Sequence, residues 1–399
     1  MQLNLPQSLR LGRTLDALLP LFAVLLALFI GGLMILLMEA NPLDAYQALW
    51  DGAFGTKNAV ADTLVKATPL LLVGIGICIS FRGGVINIGG EGQMIAGGLA
   101  AVAIGLKYKE ADPTTVIIAC LVGSFIAGAL WGGIAGVLKA YFNVNEILST
   151  IMLNQIATFS MMYLVRSEFI DPRQKYAAAP IPETERLPRS LDLPRIGGTL
   201  DDLYDFLGLS AADANQWGTT LLHNGIVIAF VLAILVYVLL WRTTIGYRIR
   251  AVGKNPRASR YAGIKVKRYV VLSLVLSGGF AGLAGGIQLL GVRHRMNAEG
   301  GAIAFTGNAG FNGIVAALFG GLHPLGTIPA SILFGALLVG GNKLQRSVQV
   351  PSALITALIG LVIVFVVASD IFVRRRSRRR VAVAASEVSA ETAEVRASP

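Results

Sequence analysis

Charged side chains are scarce in this 399-residue chain: Asp, Glu, Lys and Arg make up 14 % of it, against 54 % hydrophobic residues. A soluble protein so apolar would surround a buried core with charged amphipathic helices, and the sequence lacks them. Cysteine is limited to Cys78 and Cys120, both inside apolar runs, where a structural thiol is expected and not redox chemistry. The three histidines, His223, His294 and His323, have no metal-ligand spacing, so neither a metal nor another cofactor is expected. No small-residue cleavage site follows the first apolar run, Leu15 to Met38, which therefore reads as a retained span and not a signal peptide. No G-x-x-x-x-G-K-S/T phosphate loop occurs anywhere, which excludes ATP hydrolysis by this chain itself.

Long apolar runs are what the sequence does have, several of them reaching the roughly 17 to 25 residues that cross a bilayer. The expected fold is an all-α polytopic membrane bundle of about ten spans, roughly 15–38, 66–81, 87–106, 114–138, 146–165, 221–241, 268–291, 310–322, 325–342 and 351–372. The eighth and ninth are short and interrupted by glycine and Pro324. Between the sixth and seventh, residues 242–268 carry nine Lys and Arg and no acid, which places this loop in the cytoplasm. The N-terminal residues 1–14, with Arg10 and Arg13, and the tail 373–399, with its RRRSRRR run and no apolar periodicity after it, are expected on the same side. Both termini are then cytoplasmic and the span count even. The segment 167–220 is rich in proline, holds nine acids and five bases from Glu168 to Gln216, and falls on the outer face. The net charge of +11 is thus spread over membrane-flanking loops, with no aromatic interleaving, and does not form a nucleic-acid patch.

Small residues recur every four positions at Ser124, Gly128, Gly132 and Gly136, and again at Gly278, Gly282 and Gly286. Each set makes a groove down one helix face, the device by which helices associate where lipid supplies no hydrophobic drive. Within the basic loop, Asn255 can cap a helix, Pro256 suits its first position, and Gly263 can end it in the left-handed conformation. Fewer than two turns lie between them. Such a helix is marginal alone, so it is either a docking knob for a partner or a loop helix whose arginines lie on anionic lipid.

The segment FRGGVINIGGEGQ, Phe81 to Gln93, carries five glycines in thirteen residues within apolar flanks. At about 1 kcal/mol each relative to alanine, they make a continuous helix costly, and a break near Gly83 to Gly90 is expected. Non-helical backbone at membrane depth survives only where protein buries it or water reaches it. Glu91 in hydrocarbon would cost roughly 2.5 to 3.5 kcal/mol, so it faces the bundle interior. Asn87 and Gln93 share that interior, as a polar collar on a pathway. For Glu91 the alternative is a pairing with Arg82, or acceptance of N–H groups at the helix break. Asn154, Gln288, Asn308 and Asn312 are further candidates because they are polar in apolar surroundings.

Four segments in order, FRGGVINIGGEGQ, NEILSTIMLN (Asn145 to Asn154), AVGKNPRASRYAGI (Ala251 to Ile264) and GFNGIVAALFGGLHPLGTIPA (Gly310 to Ala330), resemble the permease subunits of bacterial ABC importers. The resemblance is to the branch that moves nucleosides and simple sugars, related to the ribose and branched-chain amino acid permeases. It covers roughly Thr63 to Asp370, and the outer stretch APIPETERLP is also similar to the nucleoside branch; the Arg-rich C-terminal extension departs from it. It implies partner ATP-binding subunits, a second and different permease chain, an extracytoplasmic substrate-binding protein and a place in the bacterial inner membrane. It further implies that Asn255, Pro256, Arg257, Ala258, Arg260, Tyr261, Ala262 and Gly263 form the helix that couples to the ATPase. A secondary, ion-coupled transporter would also have broken helices, but its coupling rests on several intramembrane carboxylates, and Glu91 is nearly alone.

Overall fold

The computed structural model describes residues 25–177, 181–196 and 220–348, with single helical positions between 357 and 368. Two contact units result. In the unit of residues 1–48 and 341–399, helix α1 (Leu25–Leu37) turns by 120° into α2 (Pro42–Phe54). Glu39 takes a left-handed φ of 60° at the bend. Asn41 then accepts the Leu43 N–H at 3.0 Å, and Ile35, Ala45, Ala48 and Leu344 close a small apolar cluster.

In the unit of residues 49–340 the helices are α3 (Lys57–Arg82), α4 (Gly90–Lys107), α5 (Pro113–Phe142), α6 (Glu146–Arg166), α7 (Gly225–Arg242), α8 (Thr244–Lys254), α9 (Pro256–Tyr261), α10 (Val266–Gln288), α11 (Gly301–Thr306), α12 (Ala309–Phe319) and most of α13 (Pro324–Val348), whose last turns from residue 341 count with the other unit. Their ends follow local chemistry. Asp112 accepts the Thr115 N–H at 2.8 Å before Pro113 opens α5, and Asn143 closes it in the left-handed conformation. Asn145 caps α6. A π-helical turn at 289–293 ends α10. Residues 181–196 are strapped to that turn through Leu187 N to His294 O, 2.9 Å, and Leu193 N to Leu290 O, 3.0 Å.

The ten expected spans map onto these helices unevenly. Among the described residues six helices are long and apolar enough to cross a membrane: α3, α5, α6, α7, α10 and α13. The bent pair α1 and α2 would make a seventh. The expected span 87–106 is α4, whose first turn is polar, and 310–322 shortens to the 11 residues of α12, about 16 Å of helix and half a bilayer. Of the expected 351–372 only a few helical positions are described, and the start of 15–38 and the flanking regions 1–14 and 373–399 lie outside the described residues.

α3 and α10 are the most buried of the spanning helices. The two small-residue ladders meet each other there. A Cβ on Gly128 of α5 would overlap Gly278 O and lie 2.6 Å from Gly282 Cα of α10; one on Gly132 would lie 2.5 Å from Leu274 O. α4 joins from the other side, because a Cβ on Gly97 would overlap Gly282 O. Ser124 Oγ lies 2.9 Å from Gly97 O and 2.7 Å from Cys120 O, so one hydroxyl serves the same crossing. Three backbones touch at one level, and only hydrogen in place of a side chain permits it.

Gly128→Ala therefore pits about 1 kcal/mol of helix propensity gained against backbone overlap, with overpacking costs of about 1 to 3 kcal/mol or more. The second wins, and the purified chain should melt several degrees lower in detergent. Gly133→Ala, five positions along the same helix, meets only the Val275 Cγ2 methyl at 3.2 Å. It should melt at or slightly above the wild-type temperature, and equal melting of the two variants would refute the crossing.

Candidate functional site at the helix break

α3 stops at Arg82 and α4 starts at Gly90, so the break lies where the glycines placed it. Gly84 takes φ 76°, and Val85 N reaches back to Ser80 O at 3.0 Å, which closes the end of α3. Residues 85–88 form no regular secondary structure. Their side chains alternate: Val85 and Asn87 are buried, Ile86 is exposed and Ile88 partly so. The alternation decides where the polar groups go.

Asn87, at 0 % exposure, faces inward and is fully engaged. Its Nδ2 donates to Gln93 Oε1 at 3.0 Å and to Ser277 Oγ of α10 at 2.8 Å. Its Oδ1 accepts from Gly89 N at 2.8 Å and from Gln93 Nε2 at 3.1 Å. Asn154 of α6 does the complementary work: Nδ2 donates to Ile88 O at 2.9 Å, and Oδ1 accepts the Gly92 N–H at 2.8 Å. Since Gly89 offers α4 no side-chain cap, Asn154 supplies one from another helix. Thr150 Oγ1 accepts from Ile88 N at 3.3 Å.

Glu91 is buried, and its Oε1 accepts from Phe311 N at 3.3 Å. Of the alternatives drawn from the sequence, acceptance of backbone N–H is the one present, but at the start of α12 and not at the break. Arg82 goes elsewhere: its Nε and Nη2 donate to Leu322 O, 3.0 Å, and Gly321 O, 3.1 Å, in the turn after α12. The two charges that flank the break thus grip opposite ends of one short helix, acid at the positive end and base at the negative end of its dipole.

Asn308 begins α12 at a left-handed φ of 65°, and Asn312 stands one turn on; both are half-buried. Gln288 is buried at the end of α10. Phe311 between the two asparagines is exposed.

α9 forms as its punctuation predicts. Asn255 Oδ1 accepts the Ala258 N–H at 3.0 Å, Pro256 is the first helical residue, and Gly263 closes the turn at φ 77°. Arg257, Ala258, Arg260, Tyr261 and Ala262 are exposed, Tyr261 by 94 %, and Ser259 is the buried member. Near it, the Trp241 ring lies 5.6 Å from the guanidinium carbons of both Arg82 and Arg250, and 4.7 Å from the His323 ring. Burial, and secondly the charge of Arg82, hold His323 below the usual histidine pKa, so at pH 7 it packs as a neutral ring. The sequence reading missed Ser277, Thr150, Trp241 and Gly253. Thr150 and Gly253 lay inside quoted motifs; Ser277 and Trp241 carried no local signal.

Residues 59–367 match the family described as branched-chain amino acid transport system / permease component, a stretch that holds the break, α9 and α12. The chain belongs to this permease family. It is the multi-pass, non-catalytic transmembrane subunit of an ABC importer. The permease is similar to the guanosine ABC transporter permease protein NupP of Bacillus subtilis, with 35 % identity over 88 % of this chain and 93 % of that one. It is 30 % identical to the glucose ABC transporter permease protein TsgB13 of Haloferax volcanii, over 90 % and 88 % of the two chains. A further Bacillus subtilis relative, the guanosine ABC transporter permease protein NupQ, is 28 % identical over 73 % and 85 %.

Removing the inward amide should be a stability lesion. Asn87→Leu strands the Gly89 N–H and the Gln93 amide, at roughly 1 to 3 kcal/mol per buried group. The melting temperature of the purified permease should fall clearly, whereas Asn312→Leu, on the half-exposed face of α12, should leave it within about 2 °C. No shift for Asn87→Leu would mean that its side chain points away from the network described.

Proposed function

We propose that the permease carries a nucleoside across a bacterial inner membrane, with its termini and the 242–268 loop in the cytoplasm. In this reading it pairs with a second, different permease chain, receives substrate from an extracytoplasmic binding protein, and is driven by two ATP-binding subunits docked on α9. The observation that carries the coupling is α9 itself: six residues, capped at one end and closed by glycine at the other, exposed on nearly all sides in a loop without acids. A short helix of this kind is stabilised by what it docks into. Tyr261 and the two arginines supply the aromatic and guanidinium anchors typical of an interface core.

The substrate reading rests on the similarity to NupP over nearly the full chain, and the existence of NupQ beside it in one organism supports a pair of unlike permeases. The similarity to TsgB13 favours a sugar as the second reading. The ion-coupled alternative draws no support from any of these relatives. For the pathway, the exposed Ile86 and Phe311 with the half-buried Asn308 and Asn312 form the wall that substrate meets. Asn87, Glu91, Gln93 and Asn154 shape that wall from behind.

Reconstituted with its ATPase, binding protein and companion permease, the protein should take up guanosine only with ATP inside, and glucose should not compete. Uptake driven by a proton or sodium gradient without ATP would overturn the assignment. Ala258→Glu places a charge and extra volume on the docking face, and Gly263→Val forces a β-branched residue to φ 77°. Both should insert normally yet lose stimulation of ATP hydrolysis by loaded binding protein, with uptake falling roughly tenfold or more, a 1.4 kcal/mol effect. Normal uptake and normal ATPase co-purification in both variants would reduce α9 to a lipid anchor.

A further inference from the structure

α8 and α9 are separated by one residue, since Asn255 both ends α8 and caps α9. The second-last residue of α8 is Gly253, and it lies directly on the helix break. A Cβ on Gly253 would overlap Arg82 O and stand 2.7 Å from Gly84 N and 2.8 Å from Gly83 C. Reciprocally, a Cβ on Gly84 would stand 2.8 Å from Gly253 Cα. No side chain lies between these backbones, so nothing compliant absorbs a displacement. From Arg82 the contact continues through its hydrogen bonds to Gly321 O and Leu322 O, at the end of α12. A second set of contacts runs in parallel: the Trp241 ring of α7 faces the guanidinium groups of Arg250 of α8 and of Arg82, and packs at a tilt against His323 beyond α12.

We infer that Gly253 is the positioning residue through which movement of α9 reaches the helix break, with Trp241 as the side-chain hub of the same joint. This rests on the reading of α9 as the ATPase-docking helix. A shift of α9 displaces Gly253, which carries Gly83 and Gly84 with it. Residues 85–88 and the C-terminal turn of α12 then move together, because Arg82 belongs to both. Substrate-side change and ATPase-side change are thereby one rigid-body event at a backbone contact.

The test reads substrate moved per ATP in the unlabelled full complex and, in a separate preparation, the signal of an environment-sensitive fluorophore on Ile86→Cys, an exposed position between the two helices. With Gly253 intact, ATP binding should shift the fluorescence. Gly253→Ala should keep ATPase subunits bound at normal stoichiometry and keep basal hydrolysis, yet abolish the shift and lower substrate moved per ATP roughly tenfold. If Gly253→Ala does not accumulate, Trp241→Leu, which adds no atoms at the backbone contact, carries the same measurement and should lower that ratio severalfold. A wild-type fluorescence shift and wild-type coupling ratio in whichever variant accumulates would overturn the joint. Ala258→Glu separates the two claims: if it uncouples while Gly253→Ala does not, the docking reading stands and the joint falls. If Ala258→Glu keeps partner and uptake, the docking reading itself has failed.

Discussion

The contact among α4, α5 and α10 at Gly97, Ser124, Gly128 and Gly282 is the constraint on which the rest of the permease depends. In lipid there is no hydrophobic drive to bring helices together, so dispersion between closely fitted backbones has to do it. Side-chain-free surfaces on both partners let α10 approach two helices at once, and the Ser124 hydroxyl meets a carbonyl at the same level. Once α10 is fixed, Ser277 stands opposite the break, and α4 has its start pinned beneath residues 85–88.

That placement explains how non-helical backbone persists in an apolar bundle. Residues 85–88 give up helical hydrogen bonds, and each lost bond in a dry interior costs on the order of 1 to 3 kcal/mol. The structure replaces them with side chains from three other places: Asn87 and Gln93 bond each other across the break, Asn154 and Thr150 reach in from α6, and Ser277 from α10. The polar residues that stand out in an apolar sequence are consumed in holding an unusual backbone. What faces outward from the same segment is isoleucine. α12 beside it hangs between Glu91 at one end and Arg82 at the other, and the proposed pathway wall rests on that suspension.

A chain without a phosphate loop in a family of ABC permeases has its energy supplied by other subunits, and its own task is to convert their movement into a change of accessibility. Under the proposed reading, the short α9 and the close Gly253 contact suit that task, because each would transmit displacement with little slack. Soft connections, long side chains or flexible loops at either point would dissipate it.

The sequence by itself determined everything that depends on residues close together along the chain. Hydropathy gave the all-α membrane class, glycine density gave the break to within a residue or two, and Asn255, Pro256 and Gly263 gave both ends of α9. Helix propensity and capping act over one turn, so they are readable from a string. The same string marked the two ladders but not their meeting. Tertiary structure alone decided that Asn87 points inward to Gln93 and Ser277, that Glu91 binds α12 and not Arg82, and that 310–322 is half a span. It also brought Gly253 onto Gly84, 169 positions away in the chain. Each of these depends on which helix comes alongside, and where burial alternates along residues 85–88 a one-residue shift would turn every side chain to the other face. A polar residue announces that it needs a partner; only the packed bundle chooses which.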